Sequence, residues 1–307
     1  MQAMIYEQYG DPDVLRLVER PVPNPAPGEV LVRVRAAAVN PVDWKVVAGD
    51  LHELMPAFFP ATPGWDVAGV VESVGFDAPE FAPGDEVIAY CRKDHVHDGA
   101  FAEYLSVPVR ALTRKPRDLD WEQAAGLPLA GLTAHQLLKR LDLTADDTAL
   151  IHAASGGVGA FAAQIAVARG ARVVGTASAA NHEFLRSLGV EPVSYGAGLQ
   201  DRLREVAPDG FSLVADFVGG VLDTTRAVLR PGGRHGSIID GAVESAGGLY
   251  LWTRVSGAEL AELVELVESG HLTVPVAQVF PLAEAAEALR ANRTGHTRGK
   301  IAVRVSG

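Results

Sequence analysis

The chain has 307 residues, 48% of them hydrophobic and 21% charged, with 32 glycines; this gives room for two domains and excludes a largely disordered chain. A formal net charge of -11 opposes sequence-independent binding to a phosphate backbone, and no local basic patch offsets it. The single cysteine, Cys91, excludes an internal disulfide and a cysteine-rich zinc site. No run approaches the roughly 20 apolar residues needed to cross a bilayer. The opening "MQAMIYEQYG" lacks the pattern of a secretory leader. A cytoplasmic protein with neither a membrane nor a nucleic-acid partner is the expectation.

In chain order, the first hundred or so residues are short apolar runs of period two, separated by Pro-Gly turns. "EVLVRVR" places Val30, Val32 and Val34 on one face, and "DVAGVVESVG", "GDEVIAY" and "AFAEYLSVP" continue the pattern. From about Leu119 the texture changes to alternating helix and strand, beginning with "WEQAAGLPLAGLTAHQLLKRL". "TALIHAA" reads as a buried strand, "GAFAAQIAVARG" as a helix whose face carries Val158, Ala162, Ile165 and Ala166, and "ARVVGTAS" as the next strand. The helix "NHEFLRSLG", the strand "FSLVADFVG", the turn "LRPGGRHG", the strand "SIID" and the helix "GAELAELVELVESG" extend the rhythm to a doubly wound parallel sheet. The tail from "VPVAQVF" predicts a strand, a helix and a final strand that could return to the first domain.

Residues 152–164, "HAASGGVGAFAAQ", follow a predicted strand and open a helix, as a dinucleotide-binding turn does. Ala154, Gly156 and Gly159 occupy the three fingerprint positions, with Gly157 extra and Val158 between, and Ser155 adds a hydroxyl near the phosphates. Alanine at the first position is acceptable if its φ stays negative. At the end of the second strand an NAD site usually offers an acid, whereas "VVGTASAANHE" offers Ala177 and Ser178. With no carboxylate there, a 2′-phosphate is tolerated and Ser178, Asn181 and His182 can donate to it. NADP(H) is therefore favoured over NAD, although helix capping explains Asn181 and His182 equally well.

Several motifs together resemble the medium-chain dehydrogenase/reductases, specifically their zinc-free quinone oxidoreductase branch: "AAAVNPVDWKVVAG", "PATPGWDVAGVVESVG", "FAPGDEVIAY", "AGLTAHQLL", "HAASGGVG", "LRPGGR" and the terminal "GHTRGKIAV". The resemblance implies an α/β chain with a GroES-like β-rich catalytic domain at residues 1–115, completed by residues 270–307. A doubly wound Rossmann domain would fill residues 116–269. It also implies a homodimer through the sheet edges of the nucleotide-binding domain. Zinc-dependent relatives have a cysteine where this chain has Asn40, and Gly-His-Glu where it has Gly64, Trp65 and Asp66. No zinc and no other metal is expected.

Without a Lewis acid, hydride addition is easiest to a conjugated acceptor, whose incoming charge spreads into an enolate or phenolate. The expected substrates are thus quinones or α,β-unsaturated carbonyls (enones), reduced by hydride from nicotinamide C4. Asn40 and Lys45 are the candidate donors to the substrate oxygen, because the resemblance places this loop beside the nicotinamide. The readings against them are a turn asparagine before proline and a surface lysine. The resemblance also sets Thr133 near the cofactor and Tyr195 on the adenosine side, against a helix-interior threonine and a tyrosine packed on the sheet. The Cys91, His95, His97 and Asp98 group fits no standard metal spacing. Two other functions stay open: a 2-enoyl thioester reductase, and a non-catalytic NADPH-binding sensor or structural protein.

Overall fold

The structure, a computed structural model, describes residues 1–295 and 297–306; His296 of the terminal motif lies outside them. The chain divides into two compact units, residues 1–129 with 255–269 and 274–307, and residues 130–254 with 270–273.

The first unit begins with an antiparallel pair, β1 (Gln2–Ile5) and β2 (Arg16–Glu19). β3 (Glu29–Val39) follows, then α1 (Pro41–Ala48), β4 (Asp66–Val74), β5 (Glu86–Tyr90), β6 (Tyr104–Pro108), β7 (Leu112–Arg114) and α2 (Trp121–Gly126). Val30, Val32 and Val34 of β3 are fully buried, as the alternation requires. β3 pairs with β4 along most of its length, with register shifts at Leu31/Val32 and Val34/Ala36. Such irregularities bend a strand. At Asn40, which precedes α1, the backbone N–H donates to Asp43 Oδ2 and the backbone carbonyl accepts from the Asp43 N–H, and Pro41 sits at the first helical position.

The second unit opens with α3 (Pro128–Arg140), whose first two residues group with the first unit, and continues through β8 (Thr148–Ile151), α4 (Gly159–Ala168), β9 (Arg172–Ala177), α5 (His182–Ser187) and β10 (Glu191–Ser194). α6 (Leu199–Val206), β11 (Phe211–Asp216), α7 (Leu222–Val228), β12 (Leu229–Ser237) and β13 (Leu249–Tyr250) complete it. The six strands are parallel in the order β10-β9-β8-β11-β12-β13, the doubly wound order of dinucleotide-binding folds. Leu150, Val174, Phe211 and Val214 form its core with Val193 and Leu203. α4 is buried from Gly159 to Ile165 and Ala166, so it is enclosed on all sides where the sequence suggested a single apolar face.

The chain then returns to the first unit as α8 (Gly257–Glu268), β14 (Val276–Pro281), α9 (Ala285–Arg293) and β15 (Lys300–Arg304). β15 pairs antiparallel with β3 and parallel with β14, closing a seven-stranded sheet.

Two expectations need correction. The first boundary, expected at 115/116, lies at 129/130, and residues 255–269, expected in the second domain, group with the first unit, while 270–273 stay with the second. α2 is anchored in the first unit by burial of Ala124, Ala125 and Gly126, and α8 packs there so closely that a Cβ on Gly257 would meet the Leu112 carbonyl at 2.3 Å. The second concerns "LRPGGRHG", which lies inside β12. Phe211 pairs with Leu229 and Leu213 with Arg234, so the Pro-Gly-Gly segment bulges from a continuing strand. "SIID" then contributes only Ser237.

Candidate active site

The glycine loop joins β8 to α4, at the carboxyl end of the parallel strands. Its left-handed residue is Ala153, with φ 55°, which leaves Ala154 outside the positive-φ region. The Ala153 N–H donates to Thr176 Oγ1 and the Ala154 N–H to the Thr176 carbonyl, both at 3.0 Å, so β9 fixes the turn. A Cβ on Gly159 would lie 2.1 Å from the Ala153 carbonyl oxygen, which explains the glycine where helix meets strand. Gly156 is looser, at 3.3 Å from the same oxygen. Helical bonding starts at the Gly156 carbonyl, which accepts from Ala160. The N–H groups of Gly157 and Val158 then belong to the first turn, where helices bind anions. The loop thus fits a dinucleotide pyrophosphate.

Ser155, Ser178 and Asn181 form one polar cluster. Asn181 Nδ2 donates to Ser155 Oγ at 3.2 Å and to Ser178 Oγ at 3.3 Å, joining the glycine loop to the end of β9. His182, the first residue of α5, is bonded to Ser194 Oγ at 3.2 Å. Neither Asn181 nor Ser178 makes a side-chain capping bond to its helix. Tyr195 is 61% exposed just beyond β10, so it stands at the surface instead of packing on the sheet. Its backbone N–H donates to the Ala177 carbonyl at 3.4 Å.

Beneath the loop lie residues the sequence reading passed over. His152 is buried, and burial pushes its pKa down to about 4 against the opposing charge of Asp216. The neutral ring lies 3.5 Å from both Thr176 Oγ1 and Thr225 Oγ1. Asp216 at the end of β11 accepts from the N–H groups of Val218 and Gly219 and from Ser237 Oγ, fixing the next loop.

In the first unit, Asn40 is 4% exposed and sits in a charged network. Its Nδ2 donates to Asp66 Oδ2 at 2.8 Å, and its Oδ1 accepts from Lys300 Nζ at 2.5 Å. Lys300 Nζ also donates to the Val39 carbonyl, and Asp66 Oδ1 accepts from the Leu129 N–H. Asp43, equally buried, accepts from the Asn40 N–H at 2.7 Å. Burial raises the carboxyl of Asp43 to about 8 and that of Asp66 to about 6, and it lowers the Lys300 ammonium. The sequence reading noted Asp66 only as a departure and missed Asp43 and Lys300; three charged residues in apolar runs were the available signal.

Lys45 lies outside this network. Five positions beyond Asn40 it is turned by about 140° around the helix axis, and its Nζ lies 5.5 Å from the Trp44 ring centroid. Thr133 is buried on α3, with Oγ1 2.7 Å from Thr253 Oγ1. The Cys91 loop gathers no ligand set: the buried thiol donates to the Trp65 carbonyl, His97 Nδ1 contacts the Phe58 carbonyl, and His95 packs on the Phe58 ring. Among the described residues no group of three His, Cys, Asp or Glu is placed to hold a metal.

A family profile described as an alcohol dehydrogenase GroES-like domain matches residues 26–117, and one described as zinc-binding dehydrogenase matches residues 188–303. A chloroplastic quinone oxidoreductase from Triphysaria versicolor is 32% identical over 99% of this chain and 98% of its own length. An NADPH-dependent alkenal/one oxidoreductase from Arabidopsis thaliana is 35% identical over 99% of this chain and 79% of its own. The solved quinone oxidoreductase from Coxiella burnetii superposes with a TM-score of 0.91 at 33% identity, covering 100% of this chain and 99% of that one. The chain belongs to the medium-chain dehydrogenase/reductase superfamily, in its quinone oxidoreductase branch. As a medium-chain dehydrogenase/reductase it is an oxidoreductase that uses a nicotinamide cofactor, with a GroES-like first unit and a Rossmann second unit.

Proposed function

We propose that this chain is an NADPH-dependent, zinc-independent reductase of quinones or α,β-unsaturated carbonyls. The observation that carries the cofactor choice is the bridge from Asn181 to Ser155 and Ser178, set where an NAD site has its acid. These neutral groups can donate to a 2′-phosphate and do not repel it. The bound nicotinamide supplies a hydride from its C4. The glycine loop holds the pyrophosphate, and Thr133 and Tyr195 are assigned to cofactor contact on the strength of the resemblance.

The acceptor choice rests on the donors available. Zinc does not fit the Asn40 position: the amide oxygen that would ligate it already accepts from an ammonium, and a second cation there would face Lys300. No step is therefore derived through a metal. Asn40 has one Nδ2 hydrogen committed to Asp66 and a second left for a substrate oxygen. The proton follows from solvent or from Lys45, which stands beside the Trp44 ring. Such donors suffice for an enolate or phenolate, whose charge is delocalised, and the quinone and alkenal/one oxidoreductases among the relatives are named for acceptors of that type. A homodimer through the two-residue edge strand β13 is part of the same reading.

NADPH deuterated at C4 tests it. With a short enone, NMR of the product should show deuterium on the β-carbon. Cofactor consumption with no deuterium in the product would refute conjugate hydride addition.

A further inference from the structure

We propose that Lys300 is a positioning residue for the reaction: its ammonium fixes and polarises the Asn40 amide so that one Nδ2 hydrogen is held ready for the substrate oxygen. The inference rests on the reading of Asn40 as that donor.

The orientation of an asparagine amide is often ambiguous, but here the chemistry of the partners settles it. An ammonium can only donate, so the atom 2.5 Å from Lys300 Nζ is Oδ1. Asp66 then receives Nδ2 at 2.8 Å, and its other oxygen is occupied by the Leu129 N–H. A flipped amide would put an N–H against the ammonium and an oxygen against the carboxylate. Binding a cation at Oδ1 also draws electron density from the amide, which strengthens its remaining N–H as a donor.

The placement of Lys300 shows a site built around it. It is the first residue of β15, 4% exposed, and its second bond goes to the Val39 carbonyl, one residue before Asn40. Its stem runs past Gly126, where an added Cβ would come within 3.3 Å of Lys300 Cγ and 3.0 Å of Val274 Cγ1. Burying a charge costs more than burying an apolar side chain of similar volume, and exchange of buried ion pairs for hydrophobic residues is often neutral or stabilising. Packing alone therefore gives no reason for a lysine here. Its bond to Asn40 does.

The test compares wild type, N40A, K300M/D66N and N40A/K300M/D66N with NADPH and an enone; the paired exchange keeps the site neutral. NADPH affinity, read by fluorescence, should be unchanged. In K300M/D66N, kcat should fall at least tenfold with KM for NADPH held, and adding N40A should cost less than twofold more. The Asn40 side-chain amide of asparagine-labelled protein should be slow to exchange in wild type and fast in K300M, which keeps the Asp66 acceptor of that amide. If the double variant does not fold, K300M alone replaces it with the same expectations, since methionine has no donor for Asn40 Oδ1. A kcat within twofold of wild type while N40A is impaired, or an unchanged Asn40 amide signal, overturns the role of Lys300. Full activity of N40A would instead defeat the donor reading, and the amide signal then decides alone whether Lys300 holds Asn40.

Discussion

Ala154 in the glycine loop and Gly175 on β9 are a matched pair: a Cβ on Gly175 would lie 2.6 Å from the methyl of Ala154. The alanine at the first fingerprint position thus faces a glycine, which leaves room for its methyl. The left-handed step is taken one residue earlier, at Ala153.

Restoring a side chain at 175 should therefore strain the loop. G175A is expected to cost about 1–3 kcal/mol by overpacking, read by denaturant unfolding. Adding A154G should recover part of that loss, because the remaining neighbours, Val190 and Leu185, meet the new Cβ with side-chain ends at 2.9 and 3.2 Å. Strict additivity of the two changes would contradict the pairing.

Gly159 and Gly156 should respond differently. A methyl at 159 meets the Ala153 carbonyl oxygen at 2.1 Å, and a backbone atom cannot swing away; at 156 the distance is 3.3 Å. G159A should lower Tm more than G156A, while G156A should act chiefly on NADPH affinity, because the second fingerprint glycine is where the backbone approaches the pyrophosphate. Calorimetric titration and thermal melts of the two variants check this ranking.

Much of this was legible in sequence. Alternating strands and helices gave the doubly wound sheet, and the spacing around Gly156 and Gly159 gave the loop. Lys300 was hidden because a lysine heading the run "KIAV" reads as a strand terminus, and only the pairing of β15 with β3 brings it to Asn40. The unit boundaries were missed because α2 and α8 have the texture of the Rossmann helices yet bury their apolar faces in the GroES-like unit. Pro231-Gly232-Gly233 looked like a turn, since a bulge inside a strand uses the same residues.

Cofactor choice should reside in the Ser155, Ser178 and Asn181 cluster. Hydrogen bonds to a charged group are worth about 1.5–3 kcal/mol. N181A should raise KM for NADPH about tenfold or more and leave KM for NADH nearly unchanged, and S178D should favour NADH. Steady-state kinetics with both cofactors decide the matter, and equal effects on the two would refute the phosphate assignment.

Asp43 gives a pH dependence of stability with a definite sign. Burial raises its carboxyl from 3.8 to about 8, so between these values the folded state holds a proton that the unfolded state has released. Its contribution is fully present below 3.8 and is lost as pH rises through about 8. D43N, which keeps an acceptor for the Asn40 N–H, should gain of order 3–4 kcal/mol on wild type between pH 5 and pH 8, seen as a converging or crossing pair of Tm curves. His152, lowered from 6.5 to about 4, works in the opposite sense, losing stability as pH falls through that range.

The most direct test of the whole account is the rate of NADPH and, separately, NADH oxidation with a quinone, a short enone and a simple ketone, all in the presence of a metal chelator. Turnover of the quinone or enone with NADPH in strong preference to NADH, and none with the ketone, is the predicted result. Ketone reduction that the chelator abolishes, or saturable NADPH binding with no acceptor turned over, would contradict it.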